Sequence, residues 1–124
     1  MIFATEDVGR HAYGDYGVST DSTSRTDGRA NTAILVARTG KHPAAIAAAA
    51  YTAQSHTDFY LPAIGELHHG WQYAPESFSE EWYYLSSSQS SADSAYTMVF
   101  AGGWLHSYGK HHERLVRPVR RLLQ

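Results

Sequence analysis

The side-chain period of this chain changes at Glu81, and that change narrows the folds open to it more than any other feature. Beyond it, Trp82, Tyr84 and Ser86 fall on one face of an extended segment and Tyr83 and Leu85 on the other, while Tyr96, Met98 and Phe100 alternate with Thr97, Val99 and Ala101. A period of two marks β-strands. Gly102-Gly103 supplies a hairpin turn and Gly109 a second one, so the C-terminal half reads as an antiparallel meander. Ahead of Glu81 the signals are helical. Asp27 can cap a helix that begins near Arg29, carries Ala33, Ile34, Val36 and Ala37 as its apolar stripe and stops at Gly40. Pro43 occupies a natural first helical position, followed by "AAIAAAA", the best helix former in a run. Phe59 to Leu61 reads as a short strand ended by Pro62, and Ala63 to His69 as a short third helix. Helices first and short strands second point to an α+β domain, with N-terminal helices packed on a C-terminal antiparallel meander, rather than to an alternating α/β sheet. Leu61 and Trp82 are expected in its core.

With 124 residues the chain, 1–124, is expected to form one domain. Residues 10–31, "RHAYGDYGVSTDSTSRTDGRAN", have no sustained period and read as a long polar strap lying over the core. Ten Lys and Arg against twelve Asp and Glu leave a formal charge of −2, which gives no electrostatic reason to expect nucleic acid or an anionic membrane as partner. The absence of cysteine excludes disulfides, thiolate metal sites and a thiol nucleophile. "MIFATEDVGR" contains neither a signal-peptide core nor a membrane span, so neither a signal peptide nor membrane insertion is expected.

Five motifs recur in a characteristic order: "DGRANT", then, after the Ala-rich helix, "DFYLPAIGEL", "WYYLSSSQ", "AYTMVF" with "GG", and "LVRPVR". Together they resemble the family named for the C-terminal domain of the Legionella collagen-like adhesin, whose members read D-G-x-x-N-T, W-Y-L-P-S-x-x-E-L, Y-W-S-S-T-E and V-R-P-V-R. The resemblance covers residues 14–121. It departs from the family at Phe59, Ala63, Leu85 and Ser88, all of which read as packing or surface variation. The resemblance implies a C-type-lectin-like fold of the kind used in bacterial adhesins, phage tail fibres and receptor-binding proteins diversified by retroelements. Fold alone does not fix function, which has to be read from the site.

Calcium-dependent sugar binding needs several oxygen ligands converging beside a proline; Pro75-Glu76 and Pro118 lack such neighbours, and Asn31 is the single asparagine. Sulfatase-activating relatives of the fold work through cysteine, which is absent. His68-His69 and His111-His112 are adjacent pairs whose side chains diverge, which suits a polar aromatic surface, a metal held between protomers being the alternative. "SSSQSSADS" lacks a strained elbow, a base and an oxyanion hole, so its serines read as structural. No enzyme, metal or cofactor is therefore expected. Arg117 reads as a structural fork holding carboxylates and carbonyls, and Arg120 and Arg121 as contacts to another chain or solvated charge. By position, and by the resemblance to diversified relatives, the candidate ligand-binding residues are Gln89, Ser91, Asp93, Trp104, His106, Tyr108, His111 and His112. Within 104–108 the period places Trp104, His106 and Tyr108 on one face, expected to be displayed, and Leu105 on the other, expected to be buried. The expected function is a binding module, homo-oligomeric and carried on the virion surface of a phage as a tail-fibre or receptor-binding protein, with a host glycan or protein receptor as partner. The alternative is a structural virion component that uses the same surface against neighbouring subunits.

Overall fold

The computed structural model describes residues 1–121 and has a mixed α+β architecture of three helices and two sheets. In chain order the elements are β1 (Ile2–Phe3), β2 (Arg10–Ala12), α1 (Gly28–Val36), α2 (Pro43–Ala50), α3 (Ile64–Tyr73), a 3-10 turn (Pro75–Ser77), β3 (Tyr83–Gln89), β4 (Ser94–Val99), β5 (Trp104–Gly109), β6 (Glu113–Leu115) and β7 (Val119–Arg120). The main sheet has the order β2-β6-β3-β4-β5, and β1 pairs with β7 in a separate two-stranded ladder.

Asp27 caps α1 as its sequence suggests, accepting a hydrogen bond from the Ala30 amide at 3.0 Å. The buried face of α1 is not the apolar stripe. Gly28, Asn31, Thr32 and Leu35 point inward, whereas Ala33, Val36 and Ala37 are exposed. Asn31 and Thr32 can be buried because their polar atoms are bonded there: Asn31 Nδ2 donates to the Ser24 carbonyl at 2.7 Å, and Thr32 Oγ1 donates to the Leu61 carbonyl and accepts from the Leu61 amide. Gly28 leaves no room for a side chain. A Cβ there would run into Glu66 Oε1, the Ala63 nitrogen and the Leu61 carbonyl. Helix α2 starts at Pro43 and buries Ala44, Ala45 and Ala48, small residues that let its backbone come close to β2. Between the helices, Phe59 to Leu61 forms a single bridge, Tyr60 to Val119, rather than a strand, and α3 runs one turn beyond His69.

Strands β3, β4 and β5 form the expected meander, with the β4–β5 turn closed by the Gly103 amide on the Val99 carbonyl at 3.0 Å. The meander then stops. After Gly109 the Lys110 amide bonds the Asp93 carbonyl and the Lys110 carbonyl accepts from Gly14, which carries the chain across the strand ends. It re-emerges as β6 on the far side of β3, parallel to it at Tyr84–Leu115 and antiparallel to β2. One face of the sheet packs Tyr84, Met98 and Phe100 against Ile64 and Leu67 of α3 and against Phe78. The other packs Leu85 and Ala95 against Tyr13, Leu35, Leu61 and the alanines of α2. Leu61 is fully buried as expected. Trp82 is not: it lies one residue before β3, beyond the cover of either cluster, 46% exposed, with the Arg10 guanidinium 4.6 Å from its ring centroid.

The strap that leads from β2 to α1 is pinned from below. His42, fully buried, bonds the Tyr13 carbonyl through Nδ1 at 2.8 Å and meets Arg38 Nη1 through Nε2 at 2.6 Å. A guanidinium can only donate, so Nε2 accepts and Nδ1 carries the proton. Protonation would aim a second N–H at Arg38. Burial, with the Arg38 charge adding to it, holds His42 below the usual imidazole range against the opposing bond to Tyr13.

Two outcomes follow from this packing. Leu61→Ala is expected to lower unfolding stability by about 2–5 kcal/mol, and Trp82→Ala by less than about 1 kcal/mol, as read from denaturant midpoints. His42 has a folded pKa depressed below its unfolded value, so its stabilisation is complete above about pH 6.5 and is lost as pH falls through the folded pKa. Thermal unfolding measured over that window should show a downward slope in the wild type that His42→Gln flattens.

Candidate binding surface

Strand β5 is the free edge of the main sheet, and its register with β4 places Trp104, His106 and Tyr108 opposite Val99, Thr97 and Ala95 on one face. At the end away from the α1–α2 cover this face stays open. Tyr83, across β4, meets it: its ring centroid is 4.9 Å from Tyr108 and 5.1 Å from His106, and Tyr108 donates a hydrogen bond to the Tyr83 hydroxyl at 3.1 Å. His106 and Tyr108 are 5.6 Å apart. Arg114 completes the group from β6, where the pairing of the next residue, Leu115, with Tyr84 turns its side chain to the Tyr83 face. Its guanidinium carbon sits 4.7 Å from the Tyr108 ring centroid and 5.4 Å from that of Tyr83. Arginine, being planar and weakly hydrated, is the cation suited to such a stack. Arg114 Nε is shielded from solvent without a hydrogen-bond partner.

Trp104 stands at the upper end of this face, 69% exposed, its indole over Gly102. Leu105 is also exposed, at 46%, which corrects the expectation that it is buried. That expectation assumed that one face of β5 must pack on the domain. In fact α3 covers β3 and β4 and stops short of the edge strand, so Leu105 only rims a shallow groove beside Arg25, Ile64 and His68.

The other candidates separate from this face. Gln89 is buried: Oε1 accepts from the Thr20 amide at 2.7 Å, from Thr20 Oγ1 at 2.9 Å and from Lys110 Nζ at 2.8 Å, and Nε2 donates to the Thr20 carbonyl at 3.2 Å. It holds the strap and cannot reach a ligand, so its place among the contact residues is corrected. Lys110, fully buried, also donates to the Val18 carbonyl at 2.8 Å, and burial pushes its pKa below the usual ammonium value. Ser91 and Asp93 are exposed in the β3–β4 turn, where Ser91 Oγ accepts from the Asp93 and Ser94 amides. His111 and His112 are exposed in the turn after β5, with His111 edge-on to Tyr16 at 4.9 Å. These four residues occupy the turns at the opposite end of β5 from Trp104.

Each serine hydroxyl of β3 is engaged in a hydrogen bond within the fold. Ser86 Oγ donates to the Tyr96 carbonyl, Ser88 Oγ donates to the Ser24 carbonyl and accepts from the Ile64 amide, and Ser87 Oγ accepts from Asn31 Nδ2. Arg117 is the structural fork that its sequence context suggests, bonding Asp7 at 2.7 Å and the carbonyls of Ala4 and Ser77. Arg120 and Arg121 are paired at the surface, to Asp58 and Asp27. Among the described residues there is no group of three or more His, Asp or Glu that could hold a metal ion, and no helix is long and apolar enough to cross a membrane.

Sequence reasoning missed Tyr83 and Arg114. The alternation of β3 did carry a signal for Tyr83, since it sets this residue opposite the buried Tyr84. Arg114 had none, because its place depends on the crossover of β6. Comparison with family models, curated proteins and solved structures finds no match for the chain.

Proposed function

We infer that this chain is a non-enzymatic binding module of C-type-lectin-like fold, the receptor-binding part of a phage tail fibre or another virion surface protein. The observation that carries the binding role is the open face of Tyr83, Trp104, His106, Tyr108 and Arg114 on a rigid sheet. Large rings with two rotatable bonds and a stacked guanidinium lose little entropy on contact, and Trp, Tyr and Arg dominate binding hot spots. The family assignment rests on the order of the five motifs. It is supported by the work those stretches do in the fold, where Asp27, Thr32, Glu66, Ser87 and Arg117 supply the buried or capping hydrogen bonds between elements.

A second reading, a structural virion component, is favoured by one specific feature. Strand β5 leaves one backbone edge unpaired, with Trp104 and Leu105 exposed on its two faces, an arrangement that neighbouring subunits or a second copy can cover by strand pairing. Locating the protein on the particle separates the two, a distal tip fitting binding and an internal ring fitting assembly. In the binding reading, Trp104→Ala leaves the unfolding midpoint within about 0.5 kcal/mol of wild type and weakens adsorption of purified protein to host cells by about 2 kcal/mol. Adsorption unchanged by the substitution would contradict it.

A further inference from the structure

Among the described residues that are at least partly buried, Arg114 is the cation that the fold leaves unsatisfied. Arg38, Arg117, Arg120 and Arg121 each hold a carboxylate, and the buried Lys110 donates to two oxygens. Among the described residues Arg114 has no carboxylate and no hydrogen-bond acceptor for its shielded Nε. It is nonetheless held in place by two tyrosine rings rather than left to move in solvent. None of the strand residues that share its face across the sheet, among them His11, Tyr83, His106 and Tyr108, is an acid that could neutralise it. Its outer Nη edge, rather than the shielded Nε, can meet an anion supplied from outside, and that planar edge fits a carboxylate or sulfate through two parallel hydrogen bonds.

The surroundings narrow the ligand further. Sites that read acidic peptides gather several basic side chains around the charge. Here one guanidinium lies beside three half-buried rings, Tyr83, His106 and Tyr108, whose centroids are 4.9 to 5.6 Å apart and two of which carry hydroxyls at their rims. One anionic group next to a flat C–H face bordered by hydroxyls is the chemistry of an acidic sugar. We propose that this face is a subsite for an acidic saccharide, whose carboxylate or sulfate pairs with Arg114 while its pyranose ring stacks on one of the neighbouring rings. The proposal rests on the reading of this face as a binding surface and adds the class of ligand to it.

The test is an array of sialylated, uronate-containing and sulfated oligosaccharides printed beside their neutral parents and probed with the full chain, wild type and variants. At least tenfold stronger binding to an acidic member than to its parent is expected, and the member bound tells carboxylate from sulfate. Arg114→Ala should abolish that preference. Arg114→Lys, which keeps the charge and loses the planar fork, should remove most of it, and it serves as the deciding variant if Arg114→Ala lowers the unfolding midpoint. Equal binding to acidic and neutral partners, or an Arg114→Lys protein that discriminates as wild type does, overturns the proposal. Adsorption to cells that is lost in Trp104→Ala yet unchanged in Arg114→Ala would remove the acidic ligand and leave the binding face standing. Adsorption abolished by protease treatment of the cells would assign a protein ligand and likewise overturn the saccharide. Absence of adsorption to any cell would count against the binding reading itself.

Discussion

The buried carboxylate of Glu66 is the interaction on which the arrangement of elements depends. Its Oε1 accepts from the Gly28 amide at the start of α1 and from the Ala63 amide at the start of α3, and its Oε2 accepts from the Tyr60 hydroxyl. Burial and the adjacent carboxylate both raise the Tyr60 pKa, so the phenol keeps the proton it donates. Two helix starts that would otherwise leave unsatisfied N–H groups thus share one acceptor. Removing it would strand those buried donors at about 1–3 kcal/mol each. From this point Thr32 ties α1 to Leu61, Asn31 ties it to Ser87, and Ser88 ties β3 to Ile64 and to the strap at Ser24. The result is a polar seam, with its donors and acceptors paired, running from the helices to β3.

That seam explains why a part of the sheet can remain uncovered without becoming loose. Helices α1 and α3 are fixed on the sheet from its two faces, and the β3–β4–β5 ladder carries that rigidity to the edge strand. The aromatic face then needs no packing partner of its own to hold its shape, since Arg114 and the Tyr83–Tyr108 hydrogen bond order its side chains. A surface ordered before it meets a ligand loses little conformational freedom on binding. Beneath the turn leading into β5, Gly103 (φ +71°) sits so close to the Trp71 ring that a side chain there would clash. Backbone packing therefore also sets the position of the edge strand.

Local chemistry was legible in the sequence, and long-range placement was not. Asp27 as a cap, Pro43 as a helix start, Gly102-Gly103 as a turn and Arg117 as a fork are set by geometry within a few residues or by one side chain's bonding capacity. The inward face of α1 was misread because burial there follows hydrogen-bond satisfaction rather than apolarity, which periodicity does not report. Gln89 looked like a surface polar residue for the same reason, until the strap is seen to close over it. Trp82 and Leu105 alternate as core residues would, but they lie where covering elements end. The pairing of β1 with β7 and the return of β6 beside β3 join segments more than a hundred and about thirty residues apart, respectively, and no local pattern encodes such contacts.

In the proposed binding reading, the face built by Tyr83, Trp104, His106, Tyr108 and Arg114 is where this protein meets its partner. The most direct measurement is the map of amide and side-chain NMR shifts as solubilised host-surface material is titrated into the labelled chain. The perturbed signals are expected to cluster on those five residues and their β4 neighbours Thr97 and Val99. Perturbations confined to the turns of Ser91, Asp93, His111 and His112, or to the β1–β7 ladder, would contradict it.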